Sequence, residues 1–145
     1  FNYRMSDIQA AIGVAQVPKV PRLLALRRAA ADRYDAAFRG LRELQVPARP
    51  AYADHAFQSY GIRLTSECRR DRDSVLRALV ERGISCRRGI PPIHLEPLYR
   101  DRFGPISLPV TEEVASRSLF IPLYASLSES DQARVIDAVR EIVTH

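Results

Sequence analysis

The sequence predicts an α+β domain in which helices pack on a short, mainly antiparallel sheet. Segments with apolar residues at helical spacing alternate with short stretches whose apolar pattern suits half-buried strands. Proline-rich segments separate these elements, because proline removes a backbone donor and interrupts regular structure. The predicted order is helix, helix, strand, helix, strand, loop, helix, helix. The chain has 145 residues, a usual size for one domain.

The first helix is predicted over residues 6–17. Ser6 is a suitable N-cap, and Gln9 stands at the spacing of a capping box. The apolar face of this helix follows the i, i+3, i+4, i+7 pattern and consists of Ile8, Ala11, Ile12 and Ala15.

Pro18 and Pro21 are expected to end the first helix, and a second, longer helix is predicted over residues 22–40. The segment 45–56 contains two prolines and several alanines, so it is predicted to be a connector. Residues 60–65 alternate large apolar with smaller or charged side chains, which predicts a half-buried strand.

Asp71 is expected to cap a third helix that ends at Gly83, and a short strand over residues 84–88 follows. Residues 89–110 contain five prolines, which predicts a structured loop without regular elements. The remaining predicted elements are a helix over 111–118, an apolar stretch over 119–123 and a last helix opened by Ser128 and Asp131.

Composition excludes several classes of protein. The net charge is +5, but the arginines are interspersed with acids, which is typical of solvated helix faces and not of a nucleic-acid interface. No apolar run reaches the ~18 residues of a membrane span. Cys68 and Cys86 lack a second pair of metal ligands, so we expect no metal site. Free thiols in a reducing compartment, by default the cytoplasm, are the expected state.

An asparagine, a tyrosine and an arginine (Asn2, Tyr3 and Arg4) stand immediately before the N-terminus of the first helix. Amide and guanidinium donors at a helix N-terminus suit the binding of an anionic group. A polar turn that only caps the helix is the alternative interpretation.

Several sequence segments resemble DegT/DnrJ-type sugar aminotransferases, which are pyridoxal-phosphate (PLP) enzymes that aminate keto groups of nucleotide-linked sugars. The resemblance begins with the run from Asn2 to Gly13, Asn-Tyr-Arg-Met-Ser-Asp-Ile-Gln-Ala-Ala-Ile-Gly. The other segments follow in the family's order over nearly the whole chain: the arginine-rich helix to Tyr34, Phe57–Arg63, Gly83–Ile84 with Arg87–Gly89, Pro92–Tyr99, Leu108–Glu112 and Leu119–Leu123.

The resemblance implies that residues 1–145 form the small C-terminal domain of a PLP-dependent enzyme of fold type I, with interdomain helices at 1–41. The large PLP-binding domain would then lie outside this chain, and the enzyme would be a homodimer with active sites shared across the interface. By the same resemblance, Asn2 reaches the PLP phosphate of the neighbouring subunit and Arg4 binds the cofactor too, or makes a structural ion pair. Tyr3 would line the substrate side of that site.

The resemblance also places His94 at the mouth of the active site, as a hydrogen-bonding partner of the substrate and not as a base. Its position in a proline-rich loop argues against a core residue, although a lone histidine is more often structural or exposed. One of the adjacent arginines Arg87 and Arg88, with Arg88 as the preferred candidate, is expected to bind a nucleotide diphosphate in bidentate fashion. A surface ion pair is the equally supported alternative for one of these arginines.

Lys19 is the only lysine, and it lies between two prolines at the foot of a long helix, where no cofactor pocket is expected. PLP-dependent transamination needs a lysine that binds the cofactor covalently. The leading hypothesis is therefore that this chain is the C-terminal part of an aminotransferase, which takes its amine from glutamate or glutamine. Residues 1–145 by themselves are expected to be inactive. A PLP-dependent sugar dehydratase and a non-catalytic dimerisation or binding module are the alternatives.

Overall fold

The computed structural model describes residues 3–145, and a four-stranded antiparallel sheet lies at the centre of the fold. The strands are β1 (Leu44–Gln45), β2 (Tyr60–Leu64), β3 (Arg87–Arg88) and β4 (Ser118–Ile121), in the spatial order β1-β2-β4-β3. In the register, Ile62 of β2 lies opposite Leu119 of β4, and Leu119 also lies opposite Arg88 of β3. This arrangement confirms the predicted α+β class with an antiparallel sheet.

Six α-helices accompany the sheet in the described residues. They are α1 (Asp7–Gln16), α2 (Val20–Phe38), α3 (Arg72–Glu81), α4 (Pro97–Phe103), α5 (Pro109–Arg117) and α6 (Glu129–Thr144), with short 3₁₀ turns at Val17–Lys19 and Ile93–Leu95. The predicted caps are confirmed, since Ser6, Asp71 and Ser128 each accept a hydrogen bond from a backbone N–H in the first turn of the helix that follows. Ser6 and Gln9 form the full capping box.

Several predicted boundaries are wrong, and proline explains most of them. Pro21 does not interrupt the chain but occupies the first turn of α2, where a missing backbone N–H leaves no helical hydrogen bond unmade. The same reason lets α5 begin at Pro109, two residues before its predicted start. The segment predicted as a loop contains a regular helix, α4, which begins at Pro97.

Two strands also differ from prediction. β1 lies at the junction with the predicted connector and owes its existence to pairing with the end of β2, as Leu44 faces Leu64. The strand predicted over 84–88 is reduced to Arg87–Arg88, because only these residues pair with β4. Ile84 instead contributes to the core, with 3% of its surface exposed.

The core lies between the sheet and the helices α2, α3 and α6. Tyr34 of α2 and Tyr60 of β2 are fully buried and in ring contact, 4.9 Å between centroids. Burial and the hydrogen bond that its hydroxyl donates to the Asp35 carboxylate raise the pKa of Tyr60 above its ordinary value. Gln132 connects α6 to α2, because its amide donates to the Ala30 carbonyl oxygen at 2.7 Å. These contacts fix α2 and α6 against the sheet.

The N-terminal helical segment packs far less closely. No residue of α1 is buried, and apolar side chains along α1 and the first half of α2 remain exposed. These side chains include Ile8, Ile12, Val17, Leu23 and Leu26. From residue 3 to residue 145, none of the helices combines the length and apolar character that a membrane crossing requires.

Candidate functional site

The candidate site is an open cleft of about 500 Å³ between the start of α3, the segment that follows β3, and α5. The start of α3 contributes Arg72, and β3 contributes Arg88. The segment after β3 forms a wall of small and apolar residues, and α5 provides Glu112 at the opposite side. The cleft thus combines two cations, one carboxylate and an apolar wall.

Arg88 lies in this cleft and is paired with Asp73 at the start of α3. Its Nε and one terminal nitrogen donate to the two carboxylate oxygens of Asp73 at 3.2 and 2.9 Å. Arg87 points elsewhere and stacks over the Phe120 ring, 4.7 Å from its centroid. Of the two arginines considered from the sequence, Arg88 therefore makes the surface ion pair and is also the one that faces the cleft.

Arg72 is the more buried of the two cations, with 14% of its side chain exposed. Its Nη1 donates to the Ala115 carbonyl oxygen of α5 at 3.1 Å, and its Nε lies against the Asp73 carboxylate. Asp73 therefore contacts both arginines. The two guanidinium groups share this one carboxylate, and Glu112 stands elsewhere in the lining, so this end of the cleft offers arginine donors to an anionic ligand.

His94 is buried, contrary to the expectation that a loop histidine would not be a core residue. Only 5% of its side chain is exposed, because the 3₁₀ turn Ile93–Leu95 directs the ring inward. Its Nε2 lies 3.0 Å from Oε1 of Glu112. Its Nδ1 is enclosed and has no hydrogen-bond partner among the described residues.

Glu112 is the central acceptor of this part of the site. The same oxygen that contacts His94 also accepts a hydrogen bond from the backbone N–H of Leu108 at 2.8 Å. These two interactions, the His94 bond first, lower the pKa of the Glu112 carboxyl below its ordinary value. The carboxylate is therefore ionised at neutral pH and lies in the first turn of α5, where the helix dipole favours a negative charge.

Gly89 sets the close approach of β3 and β4 at the edge of the cleft. Its N–H donates to the Ser118 carbonyl oxygen at 2.9 Å, and a Cβ at this position would lie 2.9 Å from the Ser118 Cβ. Any larger residue would force the two strands apart. The glycine thus permits the chain to turn directly from the sheet into the cleft wall.

The residues predicted to bind the cofactor and the substrate at the N-terminus are Asn2, Tyr3 and Arg4. Asn2 lies outside the described residues. Tyr3 and Arg4 precede α1, with 92% of the Tyr3 surface exposed, and neither residue lines the cleft. Their predicted roles at a cofactor and a substrate remain predictions.

The groove around Lys19 lacks the side chains that a PLP pocket needs. Lys19 lines a shallow groove of about 500 Å³ together with Arg22, Leu23 and Leu26. Among the residues that line this groove, none is acidic or aromatic, so nothing there would pair with a pyridine nitrogen or stack on its ring. Across residues 3–145, no group of three or more histidine, cysteine or acidic side chains is arranged to hold a metal ion.

Sequence reasoning did not identify Arg72, Asp73 or Glu112 as parts of the site. Arg72 and Asp73 stand in a run of alternating charges that is typical of a solvated surface, and no local signal distinguishes them. Glu112 did carry a signal, because an acidic residue in the first turn of a predicted helix is a common capping partner. Its bond to His94, 18 residues earlier, depends on the fold.

Comparison with known proteins gives a consistent result. The sequence profile of the DegT/DnrJ/EryC1/StrS aminotransferase family matches residues 1–140. The aminotransferase TlmJ from Streptoalloteichus hindustanus is 32% identical, with a TM-score of 0.83 over 93% of this chain and 35% of its own. DesV from S. venezuelae is 29% identical, with a TM-score of 0.88 over 98% of this chain and 38% of its own.

A third solved structure is more distant in sequence and shows the fold alone. Spr1654 from Streptococcus pneumoniae, in its PLP form, is 22% identical and has a TM-score of 0.86 over 97% of this chain and 36% of its own. The chain therefore spans just over a third of the length of these solved relatives.

Proposed function

Because this chain belongs to the DegT/DnrJ/EryC1/StrS aminotransferase family, we propose that it is the C-terminal part of a PLP-dependent aminotransferase acting on keto nucleotide-sugars. Residues 1–145 serve as the small domain, with the helices of residues 1–41 between it and a larger PLP-binding domain. The exposed apolar side chains of α1 and α2 support this assignment, since such a stretch on a protein surface marks an interaction site.

The cofactor in this proposal is held mainly by the larger domain. PLP, when bound, supplies the electron sink that amino-group transfer requires. This chain contributes donors to its phosphate, Asn2 and Arg4, the first of them across the interface of a homodimer. Lys19 has no part in the chemistry, so residues 1–145 by themselves are inactive.

The cleft is the proposed binding site for the nucleotide-sugar, and its two guanidinium groups are the observation that carries this proposal. Arg72 and Arg88 provide two guanidinium groups within one cleft, offset in part by Asp73. A guanidinium group can bind phosphate oxygens in bidentate fashion. We propose that Arg88 exchanges its bond to the exposed Asp73 carboxylate for bonds to the diphosphate.

Tyr3 and His94 have less direct support. We propose that Tyr3 lines the substrate side of the site contributed by the N-terminal segment. Nε2 of His94 is bonded to Glu112, so in this proposal the sugar bonds to Nδ1, which has no partner among the described residues. The amino donor is glutamate or glutamine, and the enzyme acts as a cytoplasmic homodimer.

Replacing Arg88 by alanine in the full-length protein should raise the KM for the nucleotide-sugar by about tenfold, because charge-assisted hydrogen bonds to the diphosphate are lost. The KM for the amino donor should not change. Steady-state kinetics with each substrate varied in turn measures both values.

Arg77→Ala is the matched control. Arg77 lies on the exposed side of α3, and its Nη2 donates locally to the Ser74 hydroxyl at 3.0 Å, so this variant loses the same charge outside the cleft. Equal KM values in the two variants would remove Arg88 from the substrate site.

Absorbance titration of the purified full-length protein tests the function itself. Glutamate or glutamine should bleach the absorbance of the bound cofactor, and a keto nucleotide-sugar should restore it. Bound cofactor that no amino donor bleaches, together with loss of water from the sugar, would favour the dehydratase alternative. A full-length protein that binds no PLP would favour a non-catalytic binding module.

A further inference from the structure

One carboxylate connects the end of the cleft wall to the start of α5. Oε1 of Glu112 lies 3.0 Å from Nε2 of His94 and accepts from the backbone N–H of Leu108 at 2.8 Å. His94 and Leu108 stand before and after α4 in the chain. Glu112 therefore ties both ends of the α4 segment to the first turn of α5.

This bond also selects one protonation form of the histidine ring. A carboxylate only accepts hydrogen bonds when ionised, so Nε2 carries the proton that points at Glu112. The enclosed Nδ1 has no hydrogen-bond partner in the described chain. Of the two neutral tautomers, the geometry therefore favours the one with its proton on Nε2.

The bond between Glu112 and His94 is made at the end of the cleft wall. Pro91, Pro92 and Leu95 form its apolar wall, and all three stand within four residues of His94. Glu112 itself lines the cleft, with 37% of its side chain exposed. Without the bond between Glu112 and His94, this wall would no longer be attached to α5. Arg72, on the α3 side of the cleft, would keep its position.

We propose that Glu112 is a positioning residue of the substrate site: its carboxylate fixes the His94 tautomer and holds the turn around His94, and with it the adjoining cleft wall, so that the cleft is formed before the nucleotide-sugar binds. This inference rests on the proposed function of the cleft. A preformed site avoids the cost of ordering a loop during binding, so the effect falls on substrate affinity.

Glu112→Ala in the full-length protein should raise the KM for the nucleotide-sugar by about tenfold and change kcat by less than about threefold. Glu112→Gln should keep the KM within about threefold of wild type, because its amide oxygen still accepts from Leu108 and His94. A Gln variant as impaired as the Ala variant would overturn the assignment of a geometric role.

Glu113→Ala is the matched control, since it removes the neighbouring acid from the same helix. Glu113 pairs with Arg63 at 3.4 Å and with Arg117 at 3.3 Å, and it does not line the cleft. Glu113→Ala should retain the wild-type KM. If Glu112→Ala and Glu113→Ala gave the same KM, the proposal would fail.

Two further readouts separate this inference from the proposed function. The ¹⁵N chemical shifts of the His94 imidazole, assigned with His94→Asn, should report the Nε2–H tautomer in wild type and a tautomer mixture in Glu112→Ala. Wild-type shifts in Glu112→Ala would overturn the proposal. The amino-donor half of the reaction should proceed normally in every variant, and its absence in wild type would refute the function while leaving the tautomer test valid.

Discussion

Leu79→Ala is expected to lower the free energy of unfolding by about 2–5 kcal/mol, the usual cost of removing a fully buried leucine side chain. Leu79 has no exposed surface and lies on α3, which packs against α6, β3 and β4. The cavity would open beneath the strand that carries Arg88. Urea denaturation of wild type and variant, followed by circular dichroism, measures the difference.

Val80→Ala provides the comparison, because Val80 follows on the same helix and is 52% exposed. A surface substitution of this kind should change stability by no more than about 0.5 kcal/mol. Equal losses in the free energy of unfolding for Leu79→Ala and Val80→Ala would contradict the burial of Leu79 on α3.

Gly89→Ala should reduce kcat/KM for the nucleotide-sugar more than tenfold, and it should cost about 1–3 kcal/mol of stability. The added methyl group would lie 2.9 Å from Ser118 Cβ and 3.1 Å from the Ser118 carbonyl oxygen. The hydrogen bond between the Gly89 N–H and that oxygen must then lengthen or break. Because Gly89 leads into the cleft wall, the displacement reaches the substrate site directly.

Gly13→Ala is the corresponding control in α1. A Cβ at Gly13 meets no atom within 4 Å in the described chain, and alanine favours a helix by about 0.5–1 kcal/mol over glycine. Thermal unfolding should show a lower stability for Gly89→Ala and an equal or higher stability for Gly13→Ala. Kinetics should show a reduced kcat/KM for Gly89→Ala alone. A fully active Gly89→Ala enzyme would show that the strand junction does not position the site.

Local signals predicted five of the six helices in the described residues, together with three of their caps, but not α4. Ser6, Asp71 and Ser128 each act within three residues of their partner, so the relevant physics is present in the sequence itself. The strand at Tyr60 was also predictable from its alternation. By contrast, β1 is two residues long and exists only through its pairing with β2, a contact between distant positions.

The site depends on such distant contacts and was less predictable. The pairs Arg88–Asp73 and His94–Glu112 join residues 15 and 18 positions apart in the sequence. The burial of His94 follows from a 3₁₀ turn inside a proline-rich segment, and composition alone predicted a loop there. The resemblance to a family pointed to Arg88 and His94, but the acidic partner of each emerged from the fold.

The positive charge of Arg88 gives it the proposed role of binding the diphosphate. The same charge also binds Asp73 when no substrate is present. Asp73 holds the guanidinium in place before substrate binds, so a diphosphate must compete with an existing ion pair. Arg88 is the exposed partner, with 66% of its side chain accessible against 37% for Asp73, so water already competes for this pair and it is weak. An exposed ion pair of this kind keeps the arginine oriented toward the cleft while leaving it exchangeable.

The most direct test of the whole account is amino-group transfer by the full-length protein. Incubation with ¹⁵N-glutamate, or with ¹⁵N-labelled glutamine, and a keto nucleotide-sugar should give an amino sugar whose mass includes one ¹⁵N atom. Arg88→Ala should give the same labelled product, but only at higher sugar concentrations. A wild-type enzyme that binds PLP and both substrates yet transfers no ¹⁵N to the sugar would contradict the proposed function.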